Sequence, residues 1–386
     1  MTKNKFNVGI IGMGYIGESH VEAVRRIGLC NLYAVADTNA RLAQNKAEQY
    51  GIPHCCATVE ELLGDPGLDA VHNCTPNHLH TAINKQIIAS GKHLLSEKPL
   101  AMSFAEASEV AALAKQHPGI CAAVNYNYRM NPMVQEMRSR IRTGKIGRVR
   151  IATGMYQQDW LLKDTDYSWR LEPEFAGPSC AVSDIGTHWM DMFQHVTGDR
   201  INRVMADLET ILPVRRKPRR QTETFASASH GEYDEVAVTN EEYAAVLFKT
   251  VNGVTGCFHV SEMAAGHGCY FGIEVNGSEG SYRWNQEDND RLWAGYRDGD
   301  NAYIIRNPNT ISPDARSFTS LALGHPEGWN DAFKNNIYAF YKYIADGMSG
   351  EPLFATLDQA AYLARLTEAV ILSSKEGRWV NIDEVR

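Results

Sequence analysis

A chain of 386 residues has room for two to three domains, and 44% hydrophobic with 22% charged residues is the balance of a globular protein. That balance excludes disorder, collagen-like repeats and coiled coil. The formal charge of 38 − 46 = −8 provides no net field for nucleic acid or an anionic membrane. One cluster, Arg215-Arg216-Lys217-Pro218-Arg219-Arg220, runs against the trend and reads as a solvated loop.

Eight cysteines (30, 55, 56, 74, 121, 180, 257 and 269) are scattered with no Cys-x-x-Cys, which matches neither a disulfide framework nor a closed zinc site. Val8-Gly9-Ile10-Ile11 is too short for a signal-peptide core, and no run approaches the roughly 18–20 apolar residues of a membrane span. A cytoplasmic protein with reduced thiols is expected.

In chain order, residues 6–11 form an apolar strand broken by Gly12-Met13-Gly14-Tyr15-Ile16-Gly17. Ala23, Val24 and Ile27 then make a helical stripe that stops at Gly28. Leu32 to Ala36 is a second strand ending at Asp37, and Gly51 closes the following helix. Thr58 with Glu61, and later Ser103 with Glu106, are capping boxes. Strands at 69–74, 94–96 and 120–124 complete a strand–helix alternation that implies a parallel, doubly wound sheet. Beyond about residue 130, strands follow one another at 148–156, 204–210, 242–250, 254–263, 270–275 and 281–285. Asn252-Gly253 supplies a hairpin turn between two of them. Residues 212–235 read as a long loop, and helix returns from about 328. The fold expected is α/β: a Rossmann doubly wound parallel sheet over 1–128, then an α+β domain over 129–386 with a largely antiparallel, open-faced sheet.

Gly12-x-Gly14-x-x-Gly17 follows a strand, opens a helix and precedes Asp37, twenty residues past Gly17. This context points to a dinucleotide. Gly12 permits the turn, Gly14 lets backbone approach a pyrophosphate, Gly17 lets helix and sheet close up, and the helix N-terminus receives the phosphates. Asp37 would accept from the adenosine ribose and repel a 2′-phosphate, so NAD is expected over NADP.

Lys98 sits at a strand's carboxyl end, where open α/β folds bind ligands. Asp184 and His188 are four apart, so a helix would set them on one face with Asp191 a turn further on. A carboxylate beside an imidazole suits a general base. A surface ion pair, or a metal held by both acids and the histidine, would use the same residues; no metal is expected. Tyr156, Gln158 and Trp160 alternate as along one strand face, offering aromatic and amide groups to a bound substrate. Arg129 and His325 are further substrate-contact candidates, and His72, inside a strand, reads as a core histidine.

Taken together, the glycine loop, Glu97-Lys98-Pro99 and Asp184-x-x-x-His188 resemble the Gfo/Idh/MocA family of nicotinamide-dependent sugar and polyol oxidoreductases. The resemblance implies a catalytic group of Lys98, Asp184 and His188. It implies that Thr75-Pro76-Asn77, His80 and Glu97 line the nicotinamide side, that Trp169-Arg170 abuts it, and that the protein is a dimer or tetramer. Asp159-Trp160-Leu161-Leu162, Trp284-Asn285-Gln286-Glu287, Leu292-Trp293-x-Gly295-x-Arg297 and Gly324-His325-Pro326-Glu327-Gly328-Trp329 resemble a levoglucosan dehydrogenase-like subgroup that oxidises a pyranose ring hydroxyl. Two other activities occur in the family: glycoside cleavage through transient oxidation, and non-catalytic sugar sensing.

Overall fold

The computed structural model describes residues 5–219 and 232–386. The strands are β1 (Phe6–Ile11), β2 (Cys30–Ala36), β3 (His54–Cys56), β4 (Ala70–Asn73), β5 (His93–Ser96), β6 (Ala122–Val124), β7 (Val149–Gln157), β8 (Ile201–Glu209), β9 (Val214–Pro218) and β10 (Tyr233–Ala237). They continue as β11 (Tyr243–Thr250), β12 (Thr255–Ser261), β13 (Tyr270–Gly277), β14 (Ser281–Asn285), β15 (Arg291–Gly295), β16 (Ala302–Ile305), β17 (Ala355–Thr356) and β18 (Val380–Asn381).

Two compact units emerge, one of residues through Met130 with Asn330–Ala364, the other of Asn131–Trp329 with Arg365–Arg386. The first holds a seven-stranded sheet in the order β17-β6-β5-β4-β1-β2-β3. β1 to β6 are parallel, and β17 adds antiparallel to β6. The three-residue strand β3, which follows Gly51 and Pro53, is absent from the sequence reading. The segment 330–364 was expected in the second domain but groups with the first. Its helix Trp329–Ala345 brings Phe333 edge-on to His20 and Tyr341 to His72, so aromatic packing decides its allegiance. Both expected caps form: Thr58 and Ser103 accept from the backbone of Glu61 and Glu106. The glutamates reach one residue further back, to the N–H groups of Ala57 and Met102.

The second unit carries a nine-stranded sheet, β16-β15-β14-β13-β7-β12-β11-β8-β18. It is antiparallel except that β7 and β12 run parallel. Apolar alternation in β11 buries Ala244, Val246 and Phe248, and Phe248 packs against Trp189 and Phe193 of the helix Thr187–Thr197. One face is therefore covered by helix, as a half-buried antiparallel sheet requires.

The stretch 212–235 is not simply a loop. β9 and β10 pair as an antiparallel ribbon, and residues 220–231 lie outside the described part. Nor is the basic cluster simply solvated: Arg215 is wholly buried, donating to Glu242 Oε1 at 2.6 Å and to the carbonyls of Leu161, Lys163 and Asp166. Arg216, Lys217 and Arg219 pair with Asp164, Glu172 and Asp234; Arg220 lies outside the described residues. None of the eight cysteines forms a disulfide. Among the described residues, no helix is long and apolar enough to cross a membrane.

Candidate functional site

The glycine loop of the first unit is built for close approach. Gly12 has φ +91°, and a Cβ there would meet the Cys74 carbonyl oxygen at 2.7 Å. A Cβ on Gly17 would strike the Gly12 carbonyl oxygen at 2.2 Å, whereas one on Gly14 would meet nothing within 4 Å. The open space therefore lies over Gly14, where a pyrophosphate needs it. The helix Tyr15–Ile27 begins at Gly14 without a side-chain cap, and a helix N-terminus of this kind suits a phosphate. Met13 lies in the loop, buried against the sheet, while Tyr15, exposed, and Ile16 open the helix. Asp37 holds the loop as well as facing outward: its two carboxylate oxygens accept from the N–H groups of Met13 and Asn39, each at 2.8 Å. A carboxylate has about four acceptor positions, so capacity remains for ribose hydroxyls. These residues fit a bound dinucleotide.

At the ends of β4 and β5, two turns are tied together by His80. Its Nε2 lies 2.7 Å from the Thr75 carbonyl oxygen and its Nδ1 2.6 Å from that of Pro99. Burial lowers the pKa of this imidazole, against the pull of both carbonyls and of Glu97. Thr75-Pro76-Asn77 opens the next helix, again without a side-chain cap. Glu97 is buried, and its Oε2 accepts from the backbone N–H of Lys98 at 3.3 Å. Lys98 itself is half-buried.

In the second unit Asp184 lies not in ordinary helix but in a π-helical turn, Val182–Gly186, that runs into the helix Thr187–Thr197 carrying His188. Such a widened turn changes which way side chains point and is frequent at functional sites. Trp189 anchors this helix: its Nε1 donates to the Gly272 carbonyl at 3.1 Å and its ring stacks on Phe258. The helix can sit this low because Gly154 lies beneath it; a Cβ there would be 2.3 Å from Trp189 Nε1. Arg170 Nε is 3.2 Å from Asp184 Oδ1, and its guanidinium covers Trp169 at 4.6 Å. Asn240 donates to the carbonyls of Arg170 and Gly177, fixing the segment.

Behind Asp184 lies an acidic layer that sequence reasoning missed. Glu262 is fully buried and accepts from the Cys180 thiol at 3.1 Å. Burial, reinforced by Asp184, pushes its carboxyl well above the usual range, favouring the neutral acid. The ion pair with Arg170 is then left to Asp184. Glu241, also buried and raised by burial, accepts from Ser179 Oγ and the Val182 N–H, bracing the start of the π turn. The only signal in the sequence was an acid set among apolar strand residues.

Tyr156, Gln158 and Trp160 do not share one strand face. β7 ends at Gln157; Tyr156 is buried and stacks on Phe271, with its ring 6.2 Å from that of His188. Trp160 instead turns back, its Nε1 donating to Gln158 Oε1 at 3.2 Å. Arg129 is buried and donates to Gln359 Oε1 at 3.0 Å, anchoring the return of the chain to the first unit. His325 lies in an exposed stretch, its carbonyl accepting from Arg306. Asp191 is buried one turn beyond His188. Among the described residues no group of three His, Cys, Asp or Glu is arranged for a metal ion.

Residues 6–126 match the Gfo/Idh/MocA oxidoreductase model with its NAD-binding Rossmann fold, and residues 134–283 match the family's C-terminal domain. The chain is 29% identical to a levoglucosan dehydrogenase of Pseudarthrobacter phenanthrenivorans over 98% of both proteins. A solved levoglucosan dehydrogenase in complex with NADH and L-sorbose superposes with TM-score 0.88 at 26% identity, over 98% of this chain and 99% of that one. An oxidoreductase domain protein from Kribbella flavida superposes with TM-score 0.89 at 30% identity, over 98% and 100%. The chain belongs to the Gfo/Idh/MocA family of NAD-dependent sugar and polyol oxidoreductases. Its first unit is the family's NAD-binding Rossmann domain.

Proposed function

We propose that the protein is a dehydrogenase that oxidises a ring hydroxyl of a pyranose, or of a related polyol, to a ketone, with NAD preferred over NADP. The observation that carries this reading is an NAD cradle together with an acid in a π-helical turn and an imidazole in the helix that continues it, in a chain similar end to end to a levoglucosan dehydrogenase. Bound NAD supplies the hydride acceptor. His188 removes the hydroxyl proton, and Asp184, itself held by Arg170, orients the imidazole and stabilises its protonated form. Lys98 donates to the reacting oxygen and stabilises the negative charge that develops there. The open face of the nine-stranded sheet is the surface on which a second copy of the chain docks.

The test is a panel of anhydrosugars, pyranoses, inositols and aryl glycosides with NAD, followed by NADH absorbance. NADH formed in proportion to the oxidised sugar is expected, with levoglucosan or a free pyranose preferred. Aryl-glycoside cleavage without net NADH would assign the chain to transient oxidation instead, and NAD binding without turnover on any compound would make it a sensor.

A further inference from the structure

A run of buried polar groups extends from Glu97 into the core of the first unit. His20 Nε2 lies 2.8 Å from Glu97 Oε1, His20 Nδ1 lies 2.8 Å from His72 Nδ1, and His72 Nε2 lies 2.8 Å from the Tyr341 hydroxyl. His20 and His72 are completely buried, and Phe333 covers the His20 ring edge-on at 4.9 Å. Asn125 Nδ2 donates to the same Glu97 oxygen at 2.6 Å, and its own amide is oriented by Asn336, which donates to Asn125 Oδ1 at 2.7 Å. No glycine-loop or motif argument explains this run.

With both imidazoles neutral, the chemistry allows only two orders of hydrogens. A neutral imidazole has one N–H and one lone pair, so the direction chosen at one ring dictates the next. A carboxylate can only accept. With Glu97 ionised, His20 must carry its hydrogen on Nε2, which leaves the Nδ1 lone pair to accept from His72 Nδ1–H. The lone pair on His72 Nε2 then accepts from the Tyr341 hydroxyl. Every group is satisfied, in a place where an unmatched polar atom is costly. The reverse order requires a proton on Glu97.

We propose that Tyr341, His72, His20 and Glu97 form a one-way hydrogen-bond chain, closed by the Glu97 carboxylate, and that His20 and His72 are positioning residues for Lys98. The route to the lysine is short. The chain and Asn125 hold Glu97 through Oε1, which leaves Oε2 to brace the N–H of Lys98. The neutral state of His72 is favoured, since burial and the adjacent His20 both push its pKa well down. The other titratable groups facing Glu97 are the Cys74 thiol, raised by burial and by Glu97 itself, the His80 imidazole, and Lys98. The assignment of Lys98 as the group being positioned rests on the dehydrogenase reading; the order of hydrogens does not.

The experiment uses the full-length protein labelled with 15N-histidine, whose long-range 1H–15N spectrum separates the two neutral tautomers and the imidazolium. Variants lacking one histidine at a time assign the signals. His72 is expected as the neutral Nδ1–H form and His20 as the neutral Nε2–H form at neutral pH. The opposite tautomers, or an imidazolium at either position, would overturn the chain. His72→Phe is expected to lower kcat about tenfold or more, the kinetic equivalent of one charge-assisted hydrogen bond, with NAD affinity within about twofold. Should that variant not fold, Tyr341→Phe removes a single oxygen and is expected to act in the same direction. A folded variant with the wild-type kcat, or a loss confined to NAD affinity, would overturn the positioning role. A wild type that turns over no sugar would refute the dehydrogenase reading while leaving the tautomer result to judge the chain.

Discussion

Asp37 braces the glycine loop and, in the proposed NAD site, would also accept from the ribose, so its removal would have two consequences. Asp37→Ala should raise the KM for NAD about tenfold or more, on the scale of lost hydrogen bonds to a charged group, while NADP suffers less or improves. A wild-type enzyme with higher kcat/KM for NADP would refute the assignment. Lys98→Met removes the proposed donor to the reacting oxygen and should lower kcat by about 10²–10³, with NAD titrating almost normally by fluorescence. Full turnover in that variant would remove the lysine from the chemistry. His188→Ala should cost roughly 10²–10⁴ and abolish the rise of kcat/KM with pH that a general base produces. An unchanged pH profile in that variant would show that another group accepts the proton.

The π turn and the acidic layer behind it belong to the scale of elements. Glu262 has its pKa raised in the folded protein by burial and by Asp184, above its ordinary value of 4.5. The stabilisation associated with such a group is fully present below 4.5 and is lost as pH rises through the folded value. Glu262→Gln should therefore gain on the wild type as pH rises above that point, by up to about 1.4 kcal/mol per pH unit, in urea unfolding at a series of pH values. Parallel stability curves would show that Glu262 is ionised in the native state. This layer was hidden in the sequence because Asp184-x-x-x-His188 reads as one turn of ordinary helix. The widened turn depends on Glu241 reaching its N–H groups from a distant strand connection.

Across the whole second unit, one row of side chains crosses the open face of the sheet. Strand pairing aligns Met205, Leu247, Cys257, Thr153, Glu274, Arg283, Trp293 and Tyr303 from β8 to β16. Ile151, Leu247 and Tyr303 on this face remain 46%, 49% and 56% exposed, and Arg283 lies over the Trp293 ring at 5.0 Å. Exposed apolar groups spread along this face are what the proposed docking of a second copy would cover. In the proposed dimer a second copy would present the same row, with Glu274 and Arg283 able to pair across a twofold axis. Light scattering after gel filtration should give at least a dimer, and Leu247→Glu with Tyr303→Glu should shift it to monomer. A monomeric wild type would refute the docking surface.

The local signals were sufficient for a good part of this protein. Glycine spacing, strand–helix rhythm and the terminal Asp37 determined the nucleotide domain, because each depends on backbone geometry within a few residues or on one repeating supersecondary unit. The Glu97-Lys98-Pro99 and Asp184–His188 motifs marked the two parts of the proposed chemistry for the same reason. Tertiary structure alone decided what depends on distant partners. Arg215, one of a basic run, is buried only because Glu242 and three carbonyls converge on it. Tyr156 turns to the core because Phe271 is there to stack on, and residues 330–364 return to the first unit because His20 and His72 offer aromatic and polar partners. Periodicity can tell that a side chain is buried; the partner that satisfies its charge or its hydrogen lies tens to hundreds of residues away, and only the folded chain brings the two together.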